Sequence, residues 1–189
     1  IGTRLGRACH FSEEDLRPLG RTARGVRGCR LSEGDKVIGM VVVKPDQSLM
    51  TICEKGFGKR SAFEDYRITK RGAQGVLNLR RTDKTGDVVS ILSICDEDEM
   101  IVITAQGMVI RMQASLRMLS RATQGVKLIR LNKEGDSVVS VAKLPKAILE
   151  SIAVKEGKSP DDVEDAAAID KSVPKLPPEQ DGEETAPAD

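Results

Sequence analysis

At 189 residues the chain has room for one domain and a tail. Hydrophobic residues make up 39% and aromatics 2%, so any core is aliphatic, and no run of about 20 apolar residues offers a transmembrane helix. The formal net charge of +1 hides a division: residues 145–189 hold five lysines and twelve acidic residues, a net of −7, which leaves +8 on residues 1–144. A basic body beside an acidic tail points toward nucleic acid or another polyanion.

The chain opens at Ile1, with neither Met nor a secretory signal, and is expected to be a fragment. A first block, GRACHFSEEDLRPL, begins at Gly6, and GRTARGVRGCRLSEGDKVIGMVVV follows over 20–43. In the latter, arginine recurs at every third position (Arg21, Arg24, Arg27, Arg30) before the β-branched run KVIGMVVV, which predicts a strand. After the polar turn KPDQS, LMTIC predicts a second strand, and EKG a turn whose Gly56 is expected at positive φ. Both blocks then return. GFGKRSAFEDYRIT starts at Gly56 and KRGAQGVLNLRRTDKTGDVVSILSI spans 70–94. After DEDE (96–99) the strand MIVIT and the turn AQG, whose Gly107 is likewise expected at positive φ, lead to GMVIRMQASLRML from Gly107, one residue shorter before Arg117, and to SRATQGVKLIRLNKEGDSVVSVAKL over 120–144.

Arg21, Arg71 and Arg121 are 50 residues apart, as are Gly25, Gly75 and Gly125, and Arg30, Arg80 and Arg130. Self-similarity at this period, built from short strands, predicts an all-β fold of propeller-like blades of about 50 residues, four strands to a blade. The repeats are placed at about 1–54, 55–105 and 106–144. Strand alternation turns Cys29, Leu79 and Ile129 toward the core and Arg30, Arg80 and Arg130 away from it. In the tail, 145–157 predicts one short helix and 159–169 another, with Ser159 as cap and Pro160 at the first helical position. Beyond Asp170 the Pro-rich acidic run is expected to be disordered.

Chemistry-bearing residues are sparse. GRTARGVR has Val26 and Arg27 where a P-loop needs Lys and Ser or Thr. Cys9, Cys29, Cys53 and Cys95 show no C-x-x-C spacing, which argues against structural zinc and for small buried hydrophobes in a reducing cytoplasm. Tyr66 stands where the other copies have Leu16 and Leu116, a packing position. His10 matches Arg60 and Arg111, and is expected to share a basic rim with them. The acidic clusters 12–15 and 96–99 read as solvated turns rather than ion sites, so no metal site is expected. The recurring feature is arginine beside glycine without base-stacking aromatics, a composition suited to duplex backbone. The expected DNA-binding residues are Arg21, Arg24, Arg27, Arg30, Arg60, Lys70, Arg71, Arg80, Arg111, Arg121, Lys127 and Arg130.

DLRPLGRTARGVRGCRLSEGDKVIGMVVV closely resembles the C-terminal domain of the bacterial DNA gyrase A subunit, and GFGKRSAFEDYRITKRGAQGVLNL and RATQGVKLIRL resemble its later repeats. The resemblance covers residues 1 to about 144. It implies a β-pinwheel of six blades that exchange strands with their neighbours, about three of them here, and double-stranded DNA wrapped on a basic rim. By resemblance the whole enzyme is an ATP-dependent type IIA topoisomerase that introduces negative supercoils. It is an A2B2 assembly of the gyrase A catalytic domain with the gyrase B subunit, uses ATP and Mg, and is cytoplasmic and nucleoid-associated. The family's Q-R-R-G-G-K-G box is absent, with only KRGAQG (70–75) as an echo, and the resemblance places the box ahead of Ile1. The catalytic domain and its cleavage tyrosine are also absent, so no catalytic residue and no cofactor is expected here. The C-terminal domain of the topoisomerase IV A subunit, and a propeller-like protein-interaction scaffold, are the alternatives.

Overall fold

The computed structural model describes residues 1–131 and 135–148. The expected helices at 145–157 and 159–169 and the expected disorder beyond Asp170 lie outside the described residues, save that 146–148 are helical. The other regular structure among the described residues is β-strand, joined by turns and irregular loops, with two single 3-10 turns at Glu13–Asp15 and Phe63–Asp65.

The strands form three antiparallel sheets, whose boundaries fall ahead of Ser48 and ahead of Glu99 rather than after Glu54 and Ala105 as in the expected repeats. The first holds β1 (Gly2–Thr3), β2 (Arg7–Ala8) and β3 (Val37–Gly39). The second holds β4 (Ser48–Cys53), β5 (Phe57–Ala62) and β7 (Val88–Ile94). The third holds β8 (Glu99–Thr104), β9 (Val109–Gln113) and β11 (Val138–Leu144). The second and third repeats also each send a short strand backward. β6 (Val76–Leu77), from the second repeat, pairs with β2, and β10 (Val126–Lys127), from the third, pairs with β5. The sheet orders are therefore β3-β1-β2-β6, β10-β5-β4-β7 and β11-β8-β9. The fourth strand of a sheet is on loan from the next repeat, which is the strand exchange the resemblance implies.

The core follows from this order. β4 lies between β5 and β7, and all six of its residues are buried. Met50, Ile52 and Ile94 of the second sheet meet Met100, Val102 and Val138 of the third in one aliphatic cluster. Ala8, Leu49, Phe63, Tyr66 and Ile91 form a second cluster between the first and second sheets. The hairpin turns β1–β2, β4–β5 and β8–β9 place Gly6, Gly56 and Gly107 at φ of 83°, 77° and 82°, as expected for Gly56 and Gly107.

Three expectations are corrected. KVIGMVVV is a strand only over Val37–Gly39, because Gly2 already pairs with Gly39 and β1 reaches no further; Met40 and Val42 are left exposed. Cys29 and Cys95 are half-buried rather than buried, while Cys9 and Cys53 are buried as expected. DEDE is not a merely solvated turn. Asp96 pairs with Arg60, Glu97 with Lys146 and Glu99 with Arg111, and Asp98 is 3% exposed. Asp98 sits 2.7 Å from Lys143 Nζ and accepts the Cys95 amide at 2.8 Å; its carboxyl stays below the usual range because these donors outweigh its burial.

Candidate nucleic-acid interface

The residues expected to meet DNA fall into three groups. Arg30, Arg80 and Arg130 are exposed, each one residue past a core-facing position. Leu79 is 0% and Ile129 5% exposed, so the alternation read from the sequence holds there; Cys29 is its half-buried counterpart. The Arg80 amide donates to Thr123 O at 3.0 Å and the Arg30 amide to Ala73 O at 2.9 Å, so the next repeat's loop fixes the backbone beneath both guanidinium groups. Arg21, Arg24, Arg27, Lys70 and Lys127 are also exposed, Lys127 with its Nζ 6.0 Å from the Phe57 ring centroid.

The second group is half-buried and engaged. Arg71 Nη1 donates to Arg27 O at 2.8 Å, and Arg121 Nη1 donates to Leu77 O at 2.8 Å. Residues 27 and 77 are 50 apart, so each guanidinium fastens its loop to the equivalent carbonyl of the preceding repeat. These two arginines bind neighbouring repeats together as well as contributing charge.

The third group departs from the expectation. Arg60 is 6% exposed; its Nε donates to Ser48 Oγ and its Nη1 pairs with Asp96. Ser48 and Asp96 hold its side chain inward, while its carbonyl accepts the Leu119 amide of the following repeat at 2.8 Å. His10 occupies the same place in the first repeat, just past β2: its carbonyl accepts the Thr69 amide at 2.8 Å and its Nδ1 lies 2.8 Å from Tyr66 O. Arg111 is exposed but pairs with Glu99, which raises its pKa. The expected shared rim of His10, Arg60 and Arg111 is therefore not a row of free cations.

Tyr66 packs as expected and its counterpart Leu116 lies against the core, whereas Leu16, at the same place in the first copy, is 42% exposed. Tyr66 is 3% exposed, its hydroxyl donates to Asn78 Oδ1 at 2.6 Å, and burial pushes its pKa up to about 12. Asn78 Nδ2 donates to Thr51 Oγ1 at 3.0 Å, which closes a buried polar network.

The sequence reading singles out neither Lys59 nor Asn78 nor Arg117. Arg117 is simply exposed. Lys59 is 1% exposed, and its Nζ donates to Ser61 Oγ at 2.9 Å, Ser120 O at 3.0 Å and Arg121 O at 2.5 Å. Burial pulls its pKa down to about 8, against the opposing pull of Asp65. The available signal was its position three residues after the repeat glycine, where the other copies have Cys9 and Ile110.

The sequence matches the family described as DNA gyrase C-terminal domain, beta-propeller, over residues 1–44, 47–95 and 98–145. It is 44% identical over 144 residues to the DNA gyrase A subunit of Chlamydia pneumoniae, covering 75% of this chain and 17% of that protein. It is 40% identical over 147 residues to the DNA gyrase A subunit of Staphylococcus aureus (strain COL), covering 76% and 16%. The chain thus spans about a sixth of the length of these curated relatives. Its fold is similar to a solved DNA gyrase A C-terminal domain, with a TM-score of 0.70 and 29% identity over 76% of this chain and 49% of that one. A solved C-terminal domain of DNA topoisomerase IV shares the fold at a TM-score of 0.71 and 22% identity, over 84% of this chain and 50% of that one.

Proposed function

We propose that this chain, which belongs to the DNA gyrase C-terminal domain family, grips the phosphate backbone of double-stranded DNA and wraps it along its repeats. The observation that carries the reading is the placement of Arg30, Arg80 and Arg130, exposed at one equivalent place in each of three repeats on a body of charge +8. Guanidinium groups at a fixed spacing suit phosphates, which recur regularly on every duplex. No helix of the described residues is available to read a major groove, so binding is expected to be independent of sequence.

Within a longer subunit, the wrap would present a second duplex segment to a DNA gate, in support of ATP-dependent negative supercoiling. That role belongs to a DNA topoisomerase assembled from the gyrase A catalytic domain and the gyrase B subunit, which supply ATP and Mg chemistry in the bacterial cytoplasm. Relatives that are DNA gyrase A subunits, at 44% and 40% identity, favour gyrase over topoisomerase IV.

The test is titration of random-sequence duplex at several salt concentrations. Each phosphate neutralised contributes roughly −0.9 to the slope of log K against log salt. The combined substitution Arg30→Ala, Arg80→Ala and Arg130→Ala is expected to flatten the slope by about three such contributions while leaving strand content intact. A slope near zero in the parent chain, or tighter binding to an acidic protein than to DNA, rejects the reading and favours the interaction scaffold.

A further inference from the structure

We propose that Lys59 is a positioning residue of the DNA-contacting surface: it holds the 119–125 loop of the third repeat from beneath, and so sets where the exposed Arg117 and Lys127 on either side of that loop stand. The inference rests on the DNA-binding reading above.

A lysine is rarely this buried unless its ammonium is paired. Here the partners belong to the loop. Lys59 Nζ donates to the carbonyls of Ser120 and Arg121, and to Ser61 Oγ. Ser61 Oγ in turn donates to Leu119 O at 2.8 Å, and the Leu119 amide donates to Arg60 O at 2.8 Å. Three consecutive carbonyls, from Leu119 to Arg121, are thus drawn onto two neighbouring side-chain donors of β5. Beyond them, Gly125 takes φ of 78° and the chain enters β10, where Val126 pairs with Gly58 and Lys127 with Phe57. The loop is anchored at its start by the β5 donors and at its end by the β5 ladder.

Core filling does not explain the residue. At the same place in the other sheets stand Cys9 and Ile110, so this fold accepts a small or apolar side chain there. Cys9 makes a weaker contact of the same kind, its Sγ donating at 3.3 Å to Ala73 O in the corresponding loop of the second repeat. The second sheet replaces one weak thiol bond by three ammonium bonds, two of them to carbonyls. A charge-assisted bond in a site shielded from water is stronger than a neutral one. The gain is rigidity in the stretch linking Arg117 to Lys127, the condition under which fixed cations meet fixed phosphates with little ordering cost.

The experiment uses the full chain with Lys59→Met, which keeps most of the length of the side chain and removes its donors, and with Ser61→Ala, a milder change to the same cluster. Two quantities are measured: amide hydrogen exchange at 119–125, with the 70–75 loop as internal control, and affinity for random-sequence duplex with its salt slope. For Lys59→Met, exchange at 119–125 is expected to rise roughly tenfold with 70–75 unchanged, the loss of about one good hydrogen bond. Affinity is expected to fall about three- to tenfold with the salt slope unchanged, since a buried ammonium touches no phosphate. Ser61→Ala is expected to move both quantities the same way by a smaller factor, and decides the matter if Lys59→Met does not fold. Parental exchange at 119–125 in a folded variant overturns the inference. So does a slope reduced by about one phosphate's contribution, which would make Lys59 a direct contact. Failure of the parent chain to bind duplex at all rejects the DNA reading instead, and the exchange data still report whether Lys59 holds the loop.

Discussion

Segments 25–30, 75–80 and 125–130 are three copies of one stretch of sequence with two different fates. In the second and third, Val76–Leu77 and Val126–Lys127 are strands, and Leu79 and Ile129 are buried behind them. In the first, Val26 and Arg27 belong to no strand and Cys29, the counterpart of Leu79 and Ile129, is only half-buried. The backbone itself is pre-set alike in all three, with Gly25, Gly75 and Gly125 at φ of 79°, 76° and 78°. What differs is the neighbour. The later copies lie against β2 and β5, whereas the first has no sheet edge beside it among the described residues. A two-residue strand has too few ladder bonds to offset its own ordering, so the acceptor edge decides whether it forms.

The largest test of that comparison removes the apolar anchor. Leu79→Ala is expected to cost about 2–5 kcal/mol, because Leu79 packs fully buried against Cys53 and Val88. Cys29→Ala, at the equivalent but half-buried place, is expected to cost about 1 kcal/mol or less. Urea unfolding midpoints of the two variants check this, and equal losses would mean that the first copy is as firmly packed as the second.

Next come the glycines. A Cβ on Gly75 would meet the carbonyl oxygen of Ala8, and one on Gly125 that of Gly58, both inside contact distance, while a Cβ on Gly25 would meet nothing. Gly75→Ala and Gly125→Ala therefore carry both the left-handed strain and a backbone clash, about 2–4 kcal/mol together. Gly25→Ala carries the strain alone, about 1 kcal/mol. A loss at Gly25 as large as at Gly75 would place a neighbour against the first copy too.

These contrasts show which features could be read from sequence. The 50-residue period and the strands β4, β7, β8, β9 and β11 follow from the repeated β-branched and apolar runs, and the inward Leu79 and Ile129 with outward Arg80 and Arg130 from local alternation. Three things do not. The lending of β6 and β10 to the preceding sheets is a topological fact that alternation cannot express. The inward turn of Arg60 depends on Ser48 and Asp96, 12 and 36 residues away. The burial of Lys59 depends on carbonyls 61 and 62 residues further on. Charge type was legible, but whether a charge faces water or a carbonyl was decided by the neighbouring repeat.

The repeat arginines sharpen the comparison at lower energy. Arg71→Ala and Arg121→Ala each remove a guanidinium-to-carbonyl bond between repeats, and each is expected to cost about 1 kcal/mol, the value of a charged hydrogen bond discounted for its partial exposure. Arg21→Ala, at the exposed copy, is expected to stay within about 0.5 kcal/mol of the parent. Thermal unfolding of the three variants separates these outcomes. Stability unchanged in all three would return Arg71 and Arg121 to the status of surface charges.

An effect of similar size is that of pH on the Lys59 cluster. Burial lowers the Lys59 pKa from 10.5 to about 8. Below about pH 8 both folded and unfolded chains carry its proton, and the folded chain bears the full cost of a buried charge. Between about 8 and 10.5 the unfolded chain keeps the proton and the folded chain releases it, so the unfolded state binds more protons and this residue makes stability rise with pH. Other groups act nearby. Burial lowers the Ile1 amine from 8.0, which adds a rise of the same sign, while Cys9 and Cys53, raised by burial to about 11 and about 12 from 9.0, pull stability down above about pH 9. The measurement is therefore a difference between the parent chain and Lys59→Met from pH 7.5 to 9, in which the shared groups cancel. The parent is expected to gain about 1 kcal/mol relative to the variant across that window. A flat difference would mean that the three oxygen acceptors hold the ammonium charged well above pH 9.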